Sequence, residues 1–133
     1  MSSKYRIEKN RATYLNYHFL FCPRYRRKIF VDEEVKKRFY EIMKENGDEL
    51  NLEILDLECG DDYCRVKVNA LSDISPYDIV VKFKTISSKK LRAEFKHLNH
   101  LDSLWTRAFL VTIDEKISDE TLEKYLEIQK KRG

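Results

Sequence analysis

The sequence predicts an α+β fold in which one antiparallel sheet carries helices on a single face. Three observations predict it. Two period-2 alternations stand side by side, at 50–58 and 63–70, joined by Cys59-Gly60-Asp61-Asp62. Two apolar stripes of helical spacing, after Asp32 and after Ser75-Pro76, flank that pair. Two further runs rich in apolar and aromatic residues, 14–22 and 104–113, lie outside the helices.

Taken in order, residues 1–13 are polar and charged and read as an N-terminal arm. Tyr-Leu-Asn-Tyr-His-Phe-Leu-Phe-Cys at 14–22 reads as a buried strand, ended by Pro23, which cannot donate to a ladder. Asp32 is a good N-cap, and Glu33 and Glu34 suit the first turn of a helix. Val35, Phe39, Ile42 and Met43 form its apolar stripe, and Asn46-Gly47 is the expected C-cap. Leu50–Glu58 alternates as a strand with one wet face. In the strand Tyr63–Ala70, Cys64, Val66, Val68 and Ala70 share one face, and Tyr63, Arg65, Lys67 and Asn69 the other. Ser75 followed by Pro76 opens a second helix, with Ile79, Val80, Phe83, Ile86 and Leu91 as its stripe. Residues 97–103 read as a loop and 104–113 as a fourth strand. Ser118 opens a final helix over 117–131. The order β-α-β-β-α-β plus a C-terminal helix is the ferredoxin-like, split βαβ arrangement, a fold that hosts many functions.

At 133 residues the chain reads as one domain with a real core. No apolar run approaches membrane-spanning length, and Met1-Ser-Ser-Lys-Tyr-Arg lacks a signal-peptide segment, so a cytoplasmic protein without membrane contact is expected. Cys22, Cys59 and Cys64 are odd in number and fall in apparent strands, which argues for buried thiols rather than a disulfide framework. The net charge of +3 says little, but its distribution says more. Basic residues cluster at Arg24, Arg26, Arg27 and Lys28, then at Lys84, Lys89, Lys90 and Arg92, while acids gather elsewhere. Such segregation suits either a polyanion-binding face or ordinary solvated helix surfaces.

The last helix carries Tyr125 with Gln129 one turn on, sharing a face. A tyrosine there is either a packing aromatic or a nucleophile, and the residues alone leave both open.

Four blocks carry a resemblance. They are Tyr14–Ile29; Ser75–Leu91, read Ser-Pro-Tyr-Asp-Ile-Val-Val-Lys-Phe-Lys-Thr-Ile-Ser-Ser-Lys-Lys-Leu; Leu104–Val111, read Leu-Trp-Thr-Arg-Ala-Phe-Leu-Val; and Glu120–Gln129. In this order and spacing the chain resembles the single-strand DNA transposases of the insertion-sequence-200/605 type, tyrosine transposases of the HUH class. The resemblance implies a transposase that recognises single-stranded DNA hairpins and works as a homodimer with shared active sites. It implies cleavage and rejoining through a 5′-phosphotyrosine intermediate, with Tyr125 as nucleophile. It also implies a divalent metal, Mg²⁺ or Mn²⁺, held by two histidines flanking one apolar residue on a central strand, with Gln129 as auxiliary ligand.

The chain departs from the family at that pair. Tyr63 and Arg65, with Cys64 between, occupy the positions implied for the two histidines. Arginine cannot become a metal ligand, and tyrosine, with a pKa of about 10, is a poor one for Mg²⁺ at neutral pH. Three readings follow. Catalysis has decayed while fold and DNA binding persist. Cleavage continues, with Arg65 stabilising the phosphate oxygen or with a metal held by Asp61 or Asp62 and Gln129. Or the chain is a non-catalytic DNA-binding or regulatory protein. His18 reads as a core histidine, His97 and His100 as surface residues.

Overall fold

The computed structural model describes residues 5–130. Six strands and three α-helices follow in the order β1 (Arg6–Glu8), β2 (Arg11–Thr13), β3 (Leu15–Phe21), α1 (Glu33–Glu49), β4 (Glu53–Gly60), β5 (Tyr63–Ala70), α2 (Pro76–Glu94), β6 (Leu110–Thr112) and α3 (Asp119–Gln129). The main sheet has the antiparallel order β4-β5-β3-β6, so the βαββαβ arrangement is present. No helix among the described residues is long and apolar enough to cross a membrane.

Strand alternation divides the interior in two. Phe19 and Phe21 of β3 and Cys64, Val66, Val68 and Ala70 of β5 point to one face, where they pack with Val35, Phe39, Ile42 and Met43 of α1 and Ile79, Val80, Phe83 and Leu91 of α2. Leu20 and Cys22 point to the other face and meet Ile117, Leu122 and Leu126 of the C-terminal segment. The two large helices thus share one face and α3 covers the opposite one.

Four expectations are revised. The N-terminal segment 1–13 contains an ordered hairpin where it is described. Its β1 and β2 pair with each other, and Arg6 Nη2 donates to the Asn69 carbonyl (3.0 Å) while Arg11 Nη1 donates to Ser72 Oγ (2.9 Å). Residues 1–4 lie outside the described residues, as does Lys131 at the end of the expected 117–131 helix. The first helix does not stop at Asn46-Gly47, because both are buried inside α1. It ends one turn later, where Asn51 takes the left-handed φ of 55° and the Leu52 amide donates back to the Gly47 carbonyl at 2.8 Å. Gly47 serves close approach instead, since a Cβ there would stand 3.2 Å from Ile54 Cδ1. The next strand accordingly begins at Glu53 rather than at residue 50, with a register irregularity between Ile54 and Asp56.

The fourth strand is the largest revision. Of 104–113 only Leu110–Thr112 is strand. Leu104–Thr106 instead extends the far end of β3 through single bonds: Arg24 N–H donates to the Leu104 carbonyl (2.8 Å) and Thr106 N–H to the Cys22 carbonyl (3.1 Å). Trp105 anchors this stretch. Its ring is inserted in the main core edge-on to Phe21 at 4.9 Å, and its indole N–H is satisfied by Ser87 Oγ of α2 at 2.9 Å. Trp105 still bridges Pro23 in antiparallel fashion, and the ladder is interrupted between it and Leu110.

Candidate functional site

The final helix is short and is built to lie down on the sheet. Ser118 caps it by accepting from the Thr121 amide at 3.2 Å, and Asp119 and Glu120 suit the positive end of its dipole. Leu122 and Leu126 bury against Leu20 and Cys22, and Tyr63, Leu110 and Tyr125 pack around that cluster. Tyr125 is half-buried with its hydroxyl oxygen covered, and like Tyr63 it packs against that cluster. Gln129 is 3% exposed, and its Oε1 has no hydrogen-bond partner among the described residues. The tyrosine and carboxamide named from helical spacing therefore both sit on the inner side of α3.

Beneath α3 runs the polar face of β5. Tyr63, Arg65 and Lys67 alternate along it. The Tyr63 ring lies across its cross-strand neighbour Gly60, where a Cβ would stand 2.2 Å from the ring. Burial raises the Tyr63 hydroxyl above the usual phenol value, so it stays protonated at neutral pH. Arg65 donates to Glu58 Oε1 at 2.6 Å, its cross-strand partner on β4, and Lys67 donates to Glu115 Oε1 at 3.1 Å. His18, opposite Lys67, is 6% exposed. Burial first, then the charges of Arg65 and Lys67, holds it below the ordinary histidine value and therefore neutral at pH 7. Its Nδ1 is buried with no hydrogen-bond partner among the described residues.

Asp62 and Arg26, named separately from the sequence as a candidate metal ligand and as part of a basic cluster suited to a polyanion, are joined. Arg26 Nε donates to Asp62 Oδ2 at 2.9 Å, and Arg26 Nη1 reaches the Leu126 carbonyl at 3.4 Å. Arg26 thereby braces three elements: its own turn, the β4–β5 hairpin and α3. Its backbone and that of Tyr25 are left-handed, at φ of 51° and 58°, and this turns the arginine inward.

The donor set does not fit a divalent metal. Asp62 is neutralised by Arg26 and Glu58 by Arg65. Positions 63 and 65 present a protonated phenol and a guanidinium. Gln129 Oε1 is one neutral oxygen, and among the described residues no three His, Cys, Asp or Glu side chains are grouped to hold an ion.

The other basic residues separate into two groups. Arg24 and Arg27 line a groove of about 280 Å³ with Tyr25, His100 and Leu101. It shares Asp102 and Ser103 with a second groove of about 400 Å³ that contains Lys84, Arg92 and Arg107 alongside Tyr77 and Phe109. Lys84 donates to the Ala108 carbonyl at 2.8 Å and lies over the Phe109 ring, and burial pushes its pKa down to about 8. Arg92 is held by the Ser88 and Leu101 carbonyls, at 3.1 and 3.0 Å. Lys28 lies beside His97 in a separate depression, Lys89 is exposed on α2, and Lys90 faces Glu45 at 3.4 Å. Sequence reasoning missed Arg107 in the second groove; it placed Lys67 on the face of Tyr63 and Arg65 and read His18 as a core residue and His100 as a surface one, without assigning any of these three to a site. A basic residue in a strand-like run and a histidine in a loop carry no local signal of what they will face.

The family model described as "Transposase IS200 like" matches residues 11–129. The chain belongs to the IS200-like transposase family. Among solved structures, this IS200-like chain is similar to a protein from Deinococcus radiodurans assigned as a transposase. The two are 25% identical with a TM-score of 0.81, over 93% of this chain and 97% of that one. It also shares its fold with a REP-associated tyrosine transposase bound to a REP hairpin, at 12% identity and a TM-score of 0.57, over 88% of this chain and 68% of that one. No curated protein matches it. Family membership decides the function class, a transposase, and agrees with the α+β architecture read from the sequence.

Proposed function

We propose that this transposase binds single-stranded DNA carrying a hairpin and cleaves and rejoins it through Tyr125. The observation that carries the reading is that α3 holds Tyr125, with Gln129 one turn on, against the sheet face bearing Tyr63 and Arg65. In the reaction the Tyr125 hydroxyl oxygen attacks phosphorus. The bond from phosphorus to the 3′ oxygen breaks, and the proton lost by the tyrosine is made up at that oxygen, leaving a 3′-hydroxyl and a 5′-phosphotyrosine. Reversal with a different 3′-hydroxyl joins strands without an energy source, because the phosphodiester bond is conserved as a phosphotyrosine ester. The adjoining grooves with Arg24, Arg27, Lys84, Arg92 and Arg107 offer cations for the backbone, and Tyr25, Tyr77 and Phe109 offer aromatic surface for unpaired bases.

The covered hydroxyl of Tyr125 requires α3 to lift from the sheet or to serve another copy. We assign the working form as a homodimer with shared active sites. The exposed link at Ile113–Lys116 and the few apolar side chains holding α3 support this. Mixed dimers of Tyr125→Phe and Arg65→Gln protomers should then recover activity that neither variant has alone.

The direct test incubates the protein with a hairpin oligonucleotide carrying single-stranded flanks and looks for a covalent adduct on a denaturing gel. Wild type should form it and Tyr125→Phe should not. A second reading, a non-catalytic DNA-binding protein, is favoured by the loss of a metal-binding set at positions 63 and 65. It predicts hairpin binding with no adduct from wild type, and restoration of an adduct by Tyr63→His with Arg65→His in the presence of Mn²⁺.

A further inference from the structure

We propose that the sheet face under α3 is a metal-free phosphate site, made by Arg65, Lys67 and His18, that takes a phosphodiester of the DNA strand. This deepens the DNA-binding reading and rests on it. The three side chains belong to two adjacent strands in one register. Lys67 is the direct cross-strand partner of His18, and Arg65 is two residues along on the same face.

The ion pairs here are unequal, and that inequality points to an exchangeable anion. The Arg65 and Lys67 side chains are 20% and 16% exposed, whereas their carboxylate partners Glu58 and Glu115 are 54% and 95% exposed. The cations are fixed by the sheet, and the anions reach in from solvent. Carboxylates so placed contribute little to stability and can swing out. A phosphodiester that replaces them gains a bidentate guanidinium contact and a second cation in a partly desolvated place, where such charge-assisted bonds are about twice as strong as neutral ones. The second, independent observation is His18. It is more than nine-tenths buried and neutral, and its Nδ1 has no hydrogen-bond partner among the described residues. An imidazole in that state has one N–H to donate and no competing partner at Nδ1, and because Nδ1 is sealed from solvent the anion reaches it as the side chains covering it move aside. The place where the family resemblance implies a cation held by histidines is here supplied with fixed positive charge by the strand itself.

The test uses a fluorescently labelled hairpin oligonucleotide and, separately, inorganic phosphate. In EDTA the wild-type affinity for the hairpin should be unchanged. Arg65→Gln and Lys67→Gln should each weaken binding about tenfold and lower the salt slope by about one phosphate contact. Arg65→Lys should recover part of the loss, which separates lost charge from lost folding. Glu58→Gln should tighten binding a few-fold, and Lys37→Gln should change nothing. Titration with phosphate should move the His18 imidazole ¹⁵N resonances of wild type and leave them still in the Arg65→Gln/Lys67→Gln double variant. If the hairpin binds, Arg27→Gln and Arg92→Gln weaken it, and the sheet-face variants do not, the phosphate site is wrong and the DNA reading stands. If phosphate moves His18 but no hairpin binds, the site is real and the DNA reading fails. Loss of hairpin affinity in EDTA would overturn the metal-free assignment.

Discussion

At the scale of single residues, Lys84 is a group whose chemistry is strongly changed by its surroundings. Burial lowers it from 10.5 to about 8. A lysine depressed in the folded state holds fewer protons there than in the unfolded chain, so stability rises with pH between those two values. Below about pH 8 the full penalty of a buried charge is present; above about 10.5 it is gone. Urea midpoints of wild type should climb between pH 8 and 10, and those of Lys84→Met should not climb for this reason. Because a phosphate in the groove would favour the charged form, hairpin binding near pH 8.5 should take up protons, measurable as a buffer-dependent enthalpy. Gly60 is the other informative residue. Gly60→Ala should destabilise by about 1–3 kcal/mol, through the overlap with the Tyr63 ring. In a Tyr63→Ala background most of that cost should disappear, a coupling that a double-mutant cycle reads directly.

At the scale of elements, α3 is held by a cap, a few apolar side chains and one arginine. Eleven residues are too few for a helix stable by itself, so its position depends on those contacts. Ser118→Ala should cost about 1 kcal/mol. Arg26→Ala should cost about 1–3 kcal/mol, because it strands the Asp62 carboxylate, whose side chain is only 13% exposed. Arg26→Ala with Asp62→Asn should be milder than Arg26→Ala alone, as thermal melts would show. The caps of all three helices, at Asp32, Ser75 and Ser118, were legible because a side chain accepting a nearby amide is a local event. The end of α1 was not, since Asn46-Gly47 carries the same local signal whether it caps a helix or makes room for Ile54. The run at 104–109 reads as strand for a similar reason: its apolar and aromatic content suits one, but Trp105 answers to Ser87 on a helix 18 residues earlier.

At the scale of the whole molecule, the order of strands and helices was readable because alternation and stripes are short-range patterns and few topologies accept them. How the charges would be used was not. Arg26 and Asp62 are 36 residues apart in sequence and read as two independent site candidates, yet they neutralise each other. Lys67 gives no sign in sequence that it will stand opposite His18. Such pairings belong to register, which only the assembled sheet fixes. The separation of basic grooves from the sheet face also makes a whole-molecule prediction. Combining Arg92→Gln with Arg65→Gln should weaken hairpin binding by about the product of the single effects, since distant contacts to one polyanion add in free energy.

The two-sided interior sets the order in which the molecule comes apart. Phe19, Leu20 and Phe21 of β3 are fully buried in a strand paired along both edges, whereas α3 rests on a few side chains beside an exposed link. Amide hydrogens of β3 should therefore exchange with solvent only when the whole chain unfolds, and those of α3 through a far cheaper local opening. The helix bearing Tyr125 can then come away many times for each time the sheet is lost, leaving the scaffold standing while the tyrosine is bared.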